Sequence, residues 1–210
     1  MENKADAIVN TANPAVEIGD GVDSAIYNAA GKEQLLEARG RIGRLSPGEV
    51  GMTPAFNLDA KYIIHASGPL WRGGQMNEEQ LLRQCYDRAL ALAVENGCQS
   101  IAFPVLATGT YAFLKELGIQ IAIDSFTKFL EKNELEITLV VFGSESVSIS
   151  GRLMDEVSSF IDDRYVQEAL VKEYKEELFS NAPILAASCK KESLKYMFQP
   201  TFPNNIFQNY

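Results

Sequence analysis

Between residues 5 and 142 the chain alternates short apolar runs, rich in β-branched residues, with longer segments whose apolar residues recur at helical spacing. Parallel strands need a long crossover and a helix supplies one, so this alternation points to a mostly parallel sheet with helices on its faces. Strands are expected over residues 5–10, 48–53, 61–66, 100–104 and 136–142. The last carries Ile137, Leu139, Val140 and Val141 in near-continuous order and is expected to be buried on both faces. A helix beginning near Val22 carries Ala25, Ile26, Ala29 and Ala30 until Gly31 stops it. Asn77 is the expected cap of another, with Gln80 three residues on, and Leu82, Cys85, Ala89, Leu92 and Ala93 keep its spacing as far as Gly97. A third buries Ile119, Ala122, Ile123, Phe126, Phe129 and Leu130. Beyond residue 162 the reading is a helical stretch over 165–179 and a short strand at Ile184 and Leu185.

Composition narrows the function. A chain of 210 residues, 46% apolar, suits one domain with an appendage. Nineteen basic against 28 acidic side chains give a net charge of −9, which repels a polyphosphate backbone or an anionic membrane, so neither is expected as a partner. Cys85, Cys98 and Cys189 form no CxxC pair and His65 is the sole histidine, so no disulfide framework, metal site or cofactor is expected. The start MENKADAIVN has no long apolar core and no stretch approaches about 18 uninterrupted apolar residues, so the expected location is the cytoplasm.

In sheets of this kind ligands bind at the carboxyl ends of the strands. Two loops meet that condition. The first, after the strand ADAIV, holds Asn13, Gly19, Asp20, Gly21, Val22 and Asp23 between strand and helix. A glycine loop running into a helix N-terminus offers free N–H groups and the positive end of the helix dipole, which suit a phosphate. The second, after SIAFP, holds Ala107, Thr108, Gly109, Thr110 and Tyr111, and the two together are placed to close on a diphosphate without a lysine. Each residue has a plainer reading as well. Asp23 in a first helical turn complements the dipole, and Asn13 before Pro14 makes a turn. His65 reads as a packed or hydrogen-bonded structural residue, Tyr111 as a cover for ligand or core, and Trp71 with Arg72-Gly73-Gly74 as an exposed turn without chemistry.

Four blocks in order, DAIVNTANP, GDGVDSAIYNAAG, PGEVGMTPAFNLDAKYIIHASGP and IAFPVLATGTYAF before a long helix, resemble the macrodomain family over roughly residues 4–161. The resemblance implies a three-layer α/β/α sandwich around a mixed, mostly parallel sheet, and a site for ADP-ribose. Within the family the chain looks like the MacroD-type hydrolases, which implies Asn13 and Asp23 as catalytic residues at the distal ribose and Phe142 against the adenine. The implied substrates are ADP-ribosyl esters, either mono-ADP-ribosylated Asp or Glu on a protein or the metabolite O-acetyl-ADP-ribose. Such cleavage needs a water aimed at the anomeric carbon, an amide to hold ribose hydroxyls and a carboxylate to orient or deprotonate the water.

Three departures from the family qualify the implication. Its usual first strand, ending in an aspartate that contacts the adenine, has no counterpart here. The edge of the strand at 136–142 is then open, an aggregation hazard, and is expected to be covered by the C-terminal extension or by a second copy of the chain. Asp20 replaces a glycine near the diphosphate, and Ala112 and Leu114 stand where a glycine and a proline are common. The expected division is residues 1–162 as the ADP-ribose domain and 163–210 as a part-helical extension. Alternatives are a non-catalytic ADP-ribose reader, an interaction module using SLKYMFQPTFPNNIFQNY, and a nicotinamide dinucleotide enzyme. The last is disfavoured because the glycines of GDGVDS follow the strand too late.

Overall fold

The computed structural model describes residues 5–142 and two later strands, residues 184–190 and 193–198. In chain order the elements are β1 (Ala7–Thr11), α1 (Val22–Ala30), α2 (Lys32–Ile42), β2 (Val50–Pro54), β3 (Tyr62–Ala66), α3 (Glu78–Glu95), β4 (Ser100–Pro104), α4 (Lys115–Leu130), β5 (Glu136–Phe142), β6 (Ile184–Lys190) and β7 (Ser193–Phe198). The expected helix at 165–179 lies outside the described residues.

One sheet runs in the order β2-β3-β1-β4-β5-β6-β7. Strands β3, β1, β4 and β5 are parallel, while β2, β6 and β7 pair antiparallel with their neighbours. Successive strand residues point to opposite faces, and the core divides accordingly. Ile63 joins Ile26, Tyr27 and Ala30 of α1 and Leu35 of α2. Its neighbour Ile64 joins Leu82, Tyr86 and Ala89 of α3 and Ile119, Ala122 and Phe126 of α4. Helices on both faces make the three-layer α/β/α sandwich. In the larger core, Tyr86, Phe103 and Phe126 meet ring to ring at centroid distances of 5.5, 5.5 and 5.0 Å, each pair adding about 0.5–1.5 kcal/mol beyond its buried area.

Four details depart from the sequence reading. Strand β5 alternates instead of being buried on both faces: Ile137, Leu139 and Val141 are buried, whereas Thr138 and Val140 on the other side are half-buried. The reason is that, among the described residues, the α1–α2 core is built on β3 and its neighbours and not on β5. Helix α2 follows α1 directly, with Gly31 at φ 103° serving as the end of one and the start of the other. Its inward positions include Arg39, 1% exposed, so the apolar period that would have announced it is interrupted by a cation. Asn77 precedes α3 in a left-handed conformation, φ 59°, without a side-chain cap bond, and the Glu78 carboxylate takes the main-chain N–H groups of Arg72, Gly74 and Met76 instead. Finally, Trp71 is half-buried, its ring edge-on to Phe113 at 4.8 Å.

Strand β6 occupies the edge of β5 that was expected to need a cover, pairing Ile137 with Cys189 through to Phe142 with Ile184. The chain leaves β1 for β3 on one side, then crosses to β4 on the other. A crevice therefore opens between the carboxyl ends of β1 and β4.

Candidate active site

A cavity of about 430 Å³ lies in that crevice, within the range of about 300–1,000 Å³ common for small-molecule sites. Its first wall is the β1–α1 loop, where Asn13, Gly19, Asp20, Gly21, Val22 and Asp23 all face the space. Its second is the β4–α4 loop, with Ala107, Thr108, Gly109, Thr110 and Tyr111. Every cavity residue expected from the two loops is thus brought together. Phe142 ends β5, opposite Ile184, and its side chain lies outside the described residues.

Local backbone geometry turns both loops toward the cavity. Gly21, at φ 61° and ψ −124°, occupies a region open to glycine and costly for any other residue, and it starts α1 without a side-chain cap. Among the described residues, the main-chain N–H groups of residues 20–24 and 107–111 have no protein acceptor. The second loop is held from behind: Tyr86 Oη accepts from Leu106 N at 3.0 Å, Phe113 N donates to Ala107 O at 3.0 Å, and Thr108 Oγ1 donates to Val105 O at 3.2 Å. Ala107 itself sits at φ 62°, and a Cβ on Gly68 would lie 3.0 Å from the Ala107 methyl, so the floor of the cavity is closely packed.

Asp23 is 2% exposed and its two oxygens accept from Asn10 Nδ2 and from Gly19 N. Burial raises its carboxyl above the ordinary 3.8, against the opposing pull of Asn10, Gly19 and the Arg39 charge. Arg39 enters from α2 and donates to the carbonyls of Gly43 and, at 3.2 Å, of Asn13. Tyr27, behind Asp23, is pushed up to about 12 by burial and by the nearby carboxylate. Burial and Asp23 also raise Tyr111. Asn13 accepts from Ala15 N at 3.0 Å through Oδ1 while lining the cavity, so its turn and its place on the cavity wall coexist. Asp23 likewise is a first-turn carboxylate that also faces the cavity. Asp20 is exposed while lining the cavity.

Two features were not read from the sequence. Lys115 lines the cavity, so the site includes a lysine after all. Asn10 and His65, both 0% exposed, form a buried row with Asp23: Asn10 Nδ2 also lies 3.3 Å from His65 Nδ1, and His65 Nε2 lies 3.0 Å from Thr53 Oγ1. The available signal was Asn10 itself, an amide in the apolar strand AIVN, since a buried amide requires partners. Among the described residues no three of His, Cys, Asp and Glu gather as metal ligands, and no helix is long and apolar enough to cross a membrane.

Known proteins resemble this chain over the same region. The sequence model of the Macro domain matches residues 9–122. An O-acetyl-ADP-ribose deacetylase of Citrobacter rodentium is 43% identical over 155 residues, covering 71% of this chain and 87% of that protein. The solved Oceanobacillus iheyensis macrodomain with ADP is 34% identical at a TM-score of 0.68, covering 73% of this chain and 85% of that one. The Trypanosoma brucei macrodomain in complex with ADP-ribose is 32% identical at a TM-score of 0.64, covering 71% and 63%. Variants of the Oceanobacillus protein have been solved in which an asparagine and an aspartate ten positions further on are each replaced by alanine.

Proposed function

The chain belongs to the macrodomain family, and from that premise we propose that it binds ADP-ribose in the β1–β4 crevice and hydrolyses ADP-ribosyl esters, O-acetyl-ADP-ribose first among them. The observation that carries the reading is the buried Asp23 carboxylate at the start of α1, facing the cavity between two rows of main-chain N–H groups.

The diphosphate lies against the N–H groups of residues 20–24 and 107–111, with the α1 dipole and Lys115 adding positive potential. Asn13 and Asp23 hold the distal ribose. Their residue types and their separation of ten positions equal those of the asparagine and aspartate replaced in the Oceanobacillus variants. In that protein a variant carrying valine for the glycine three positions before the aspartate was solved with ADPR. The position three before Asp23 here is Asp20, and that variant supports a side chain being tolerated at this point.

A carboxylate has about four acceptor positions, and two on Asp23 are occupied by Asn10 and Gly19, which leaves capacity for a water. In an ester at the anomeric oxygen, the water oxygen bonds to the anomeric carbon as the bond from that carbon to the acyl oxygen breaks and the carboxylate leaves with the electron pair. In an acetyl ester of a ribose hydroxyl, the water oxygen bonds to the acetyl carbonyl carbon as its bond to the ribose oxygen breaks, and that oxygen keeps the pair and takes up a proton. Asp23 takes the water's proton and returns it to solvent. The balance is one ester and one water in, ADP-ribose, a carboxylate and one proton out. A raised carboxyl suits the task, because a base works best with its pKa near the working pH.

Calorimetric titration with ADP-ribose, with AMP and NAD as controls, tests the site; product release from O-acetyl-ADP-ribose tests the chemistry. Selective saturable binding together with turnover lost in Asp23→Ala is expected. Binding without turnover would leave the second reading, a non-catalytic reader, which is favoured by the fact that both Asp23 oxygens are already engaged by the protein. We further propose that residues 1–162 carry the site and that the extension serves the sheet edge, with β6 in place of a second copy of the chain.

A further inference from the structure

Asn10 Nδ2 is a donor only, with two hydrogens, one aimed at Asp23 Oδ1 and one at His65 Nδ1. His65 Nδ1 must therefore be the accepting nitrogen, and the ring proton must sit on Nε2, donating to Thr53 Oγ1 at 3.0 Å. Strand register builds this row: Asn10 on β1 lies directly beside His65 on β3, and Thr53 comes from β2 on the far side. All four side chains are at most 3% exposed, and neither His65 nor Thr53 lines the cavity.

We infer that Thr53 and His65 are positioning residues for the Asp23 carboxylate, acting through Asn10 by fixing one imidazole tautomer and hence one orientation of the Asn10 amide. Thr53 Oγ1 accepts from the protonated Nε2 and satisfies that buried donor. An unprotonated Nδ1 keeps the Asn10 NH₂ group turned toward Asp23. Were the proton on Nδ1, the Asn10 amide would have to turn over and present its Oδ1, placing an oxygen against the carboxylate it now supports. Asn10 Oδ1 is buried and has no partner among the described residues, so its own bonding does not oppose that turn and the orientation depends on His65. Burial pulls His65 down to about 3, with the Arg39 charge contributing, which keeps the ring neutral at working pH. The inference rests on the reading of Asp23 as the group that takes the water's proton.

Three variants test it. Thr53→Val removes only the acceptor for Nε2–H; His65→Phe removes both ring nitrogens; His65→Asn restores an acceptor close to the position of Nδ1. The measurements are kcat and KM for O-acetyl-ADP-ribose against pH, ADP-ribose affinity, and the titration of Asp23 by carbon NMR of Asp-labelled protein, assigned with Asp23→Asn. Thr53→Val is expected to lower kcat about 10- to 100-fold with KM within about twofold, and to move the acid limb of the profile and the Asp23 titration upward together. His65→Phe is expected to do the same or more, and His65→Asn to recover most of the loss. Arg39 from α2, Tyr27 from α1 and Tyr111 from the β4–α4 loop also act on Asp23, but they are unchanged in every variant and do not alter the comparison. Wild-type kcat and an unmoved Asp23 titration in Thr53→Val and His65→Phe would overturn the inference. So would equal loss of affinity and turnover in all three variants without rescue by His65→Asn, which marks a merely structural row. If the wild-type chain turns over no ester, the catalytic reading fails separately, and the Asp23 titration still decides whether Thr53 and His65 position the carboxylate.

Discussion

Two loops of this chain fold around a buried carboxylate, and they do so to opposite ends. In the stretch 71–78, Glu78, 1% exposed, takes the main-chain N–H groups of Arg72, Gly74 and Met76. Burial works against its charge, but these N–H groups outweigh it and the carboxyl rests below its ordinary 4.5. In the stretch 10–23, Asp23 has one main-chain N–H and one side-chain amide, burial prevails, and the carboxyl rests above its ordinary 3.8. The first is an inert tie, saturated by its own loop. The second retains acceptor capacity toward a cavity and a proton affinity above the ordinary carboxylate value, the direction the proposed base calls for. The structural carboxylate and the proposed base differ in their fixed donors, three main-chain N–H groups around Glu78 against one N–H and one amide around Asp23.

The comparison breaks most easily on activity. Asp23→Ala is expected to lower ester turnover by about 10²- to 10⁴-fold, while Glu78→Ala leaves kcat within about twofold and lowers the melting temperature; comparable kcat losses in the two would void the distinction. Next come the glycines. Gly21 and Gly73, at φ 61° and 95°, have nothing within 4 Å of an added Cβ, so alanine at either acts through backbone strain alone. Both should lose about 1–3 kcal/mol in denaturant titrations, and only Gly21→Ala should also weaken ADP-ribose binding.

A smaller effect is the pH dependence of stability, where the signs differ. Asp23 takes its proton first in the native state, so acidification from neutral toward 3.8 favours the fold, a gain that Asp23→Asn should remove. Glu78 holds its charge to lower pH in the native state than in the unfolded chain. Its stabilisation is present above about 4.5 and lost as pH falls through the native value, so Glu78→Gln should converge on wild type in acid. Thermal melts across pH 3–8 would resolve the two slopes. The smallest expected effect is none: His65, the sole histidine, should show no NMR titration between pH 5 and 8, since its native value is about 3.

The cavity walls were legible because glycines, small residues and strand ends are local signals. Gly19, Gly21, Thr108 and Gly109 declare a loop at a strand's carboxyl end whatever lies elsewhere, and Asn13 and Asp23 follow from the same stretch. The parts that went unread are held by partners remote in sequence. Asn10 and His65 are 55 residues apart, and only the β1–β3 register brings them together. Arg39 hid α2 because a cation occupies a buried position in an apolar period. Glu78 hid behind Asn77, whose residue type fits a cap better than its left-handed backbone allows. Trp71 read as exposed from its Arg-Gly-Gly neighbours, although its ring has Phe113 to pack on, a residue that arrives only with the β4–α4 loop.

The pairing of β6 with β5 also has a consequence in time. Forty-eight residues separate the end of β5 from the end of β6, so at about 5–20 residues per second a translating ribosome needs roughly 2–10 s to deliver the closing strand. All the loops that build the cavity are synthesised before then, and during that interval the nascent sheet presents a bare, apolar edge to its neighbours on the polysome. Shortening the tail therefore acts first on the yield of soluble protein in a growing cell, and only afterwards on what the folded molecules can do.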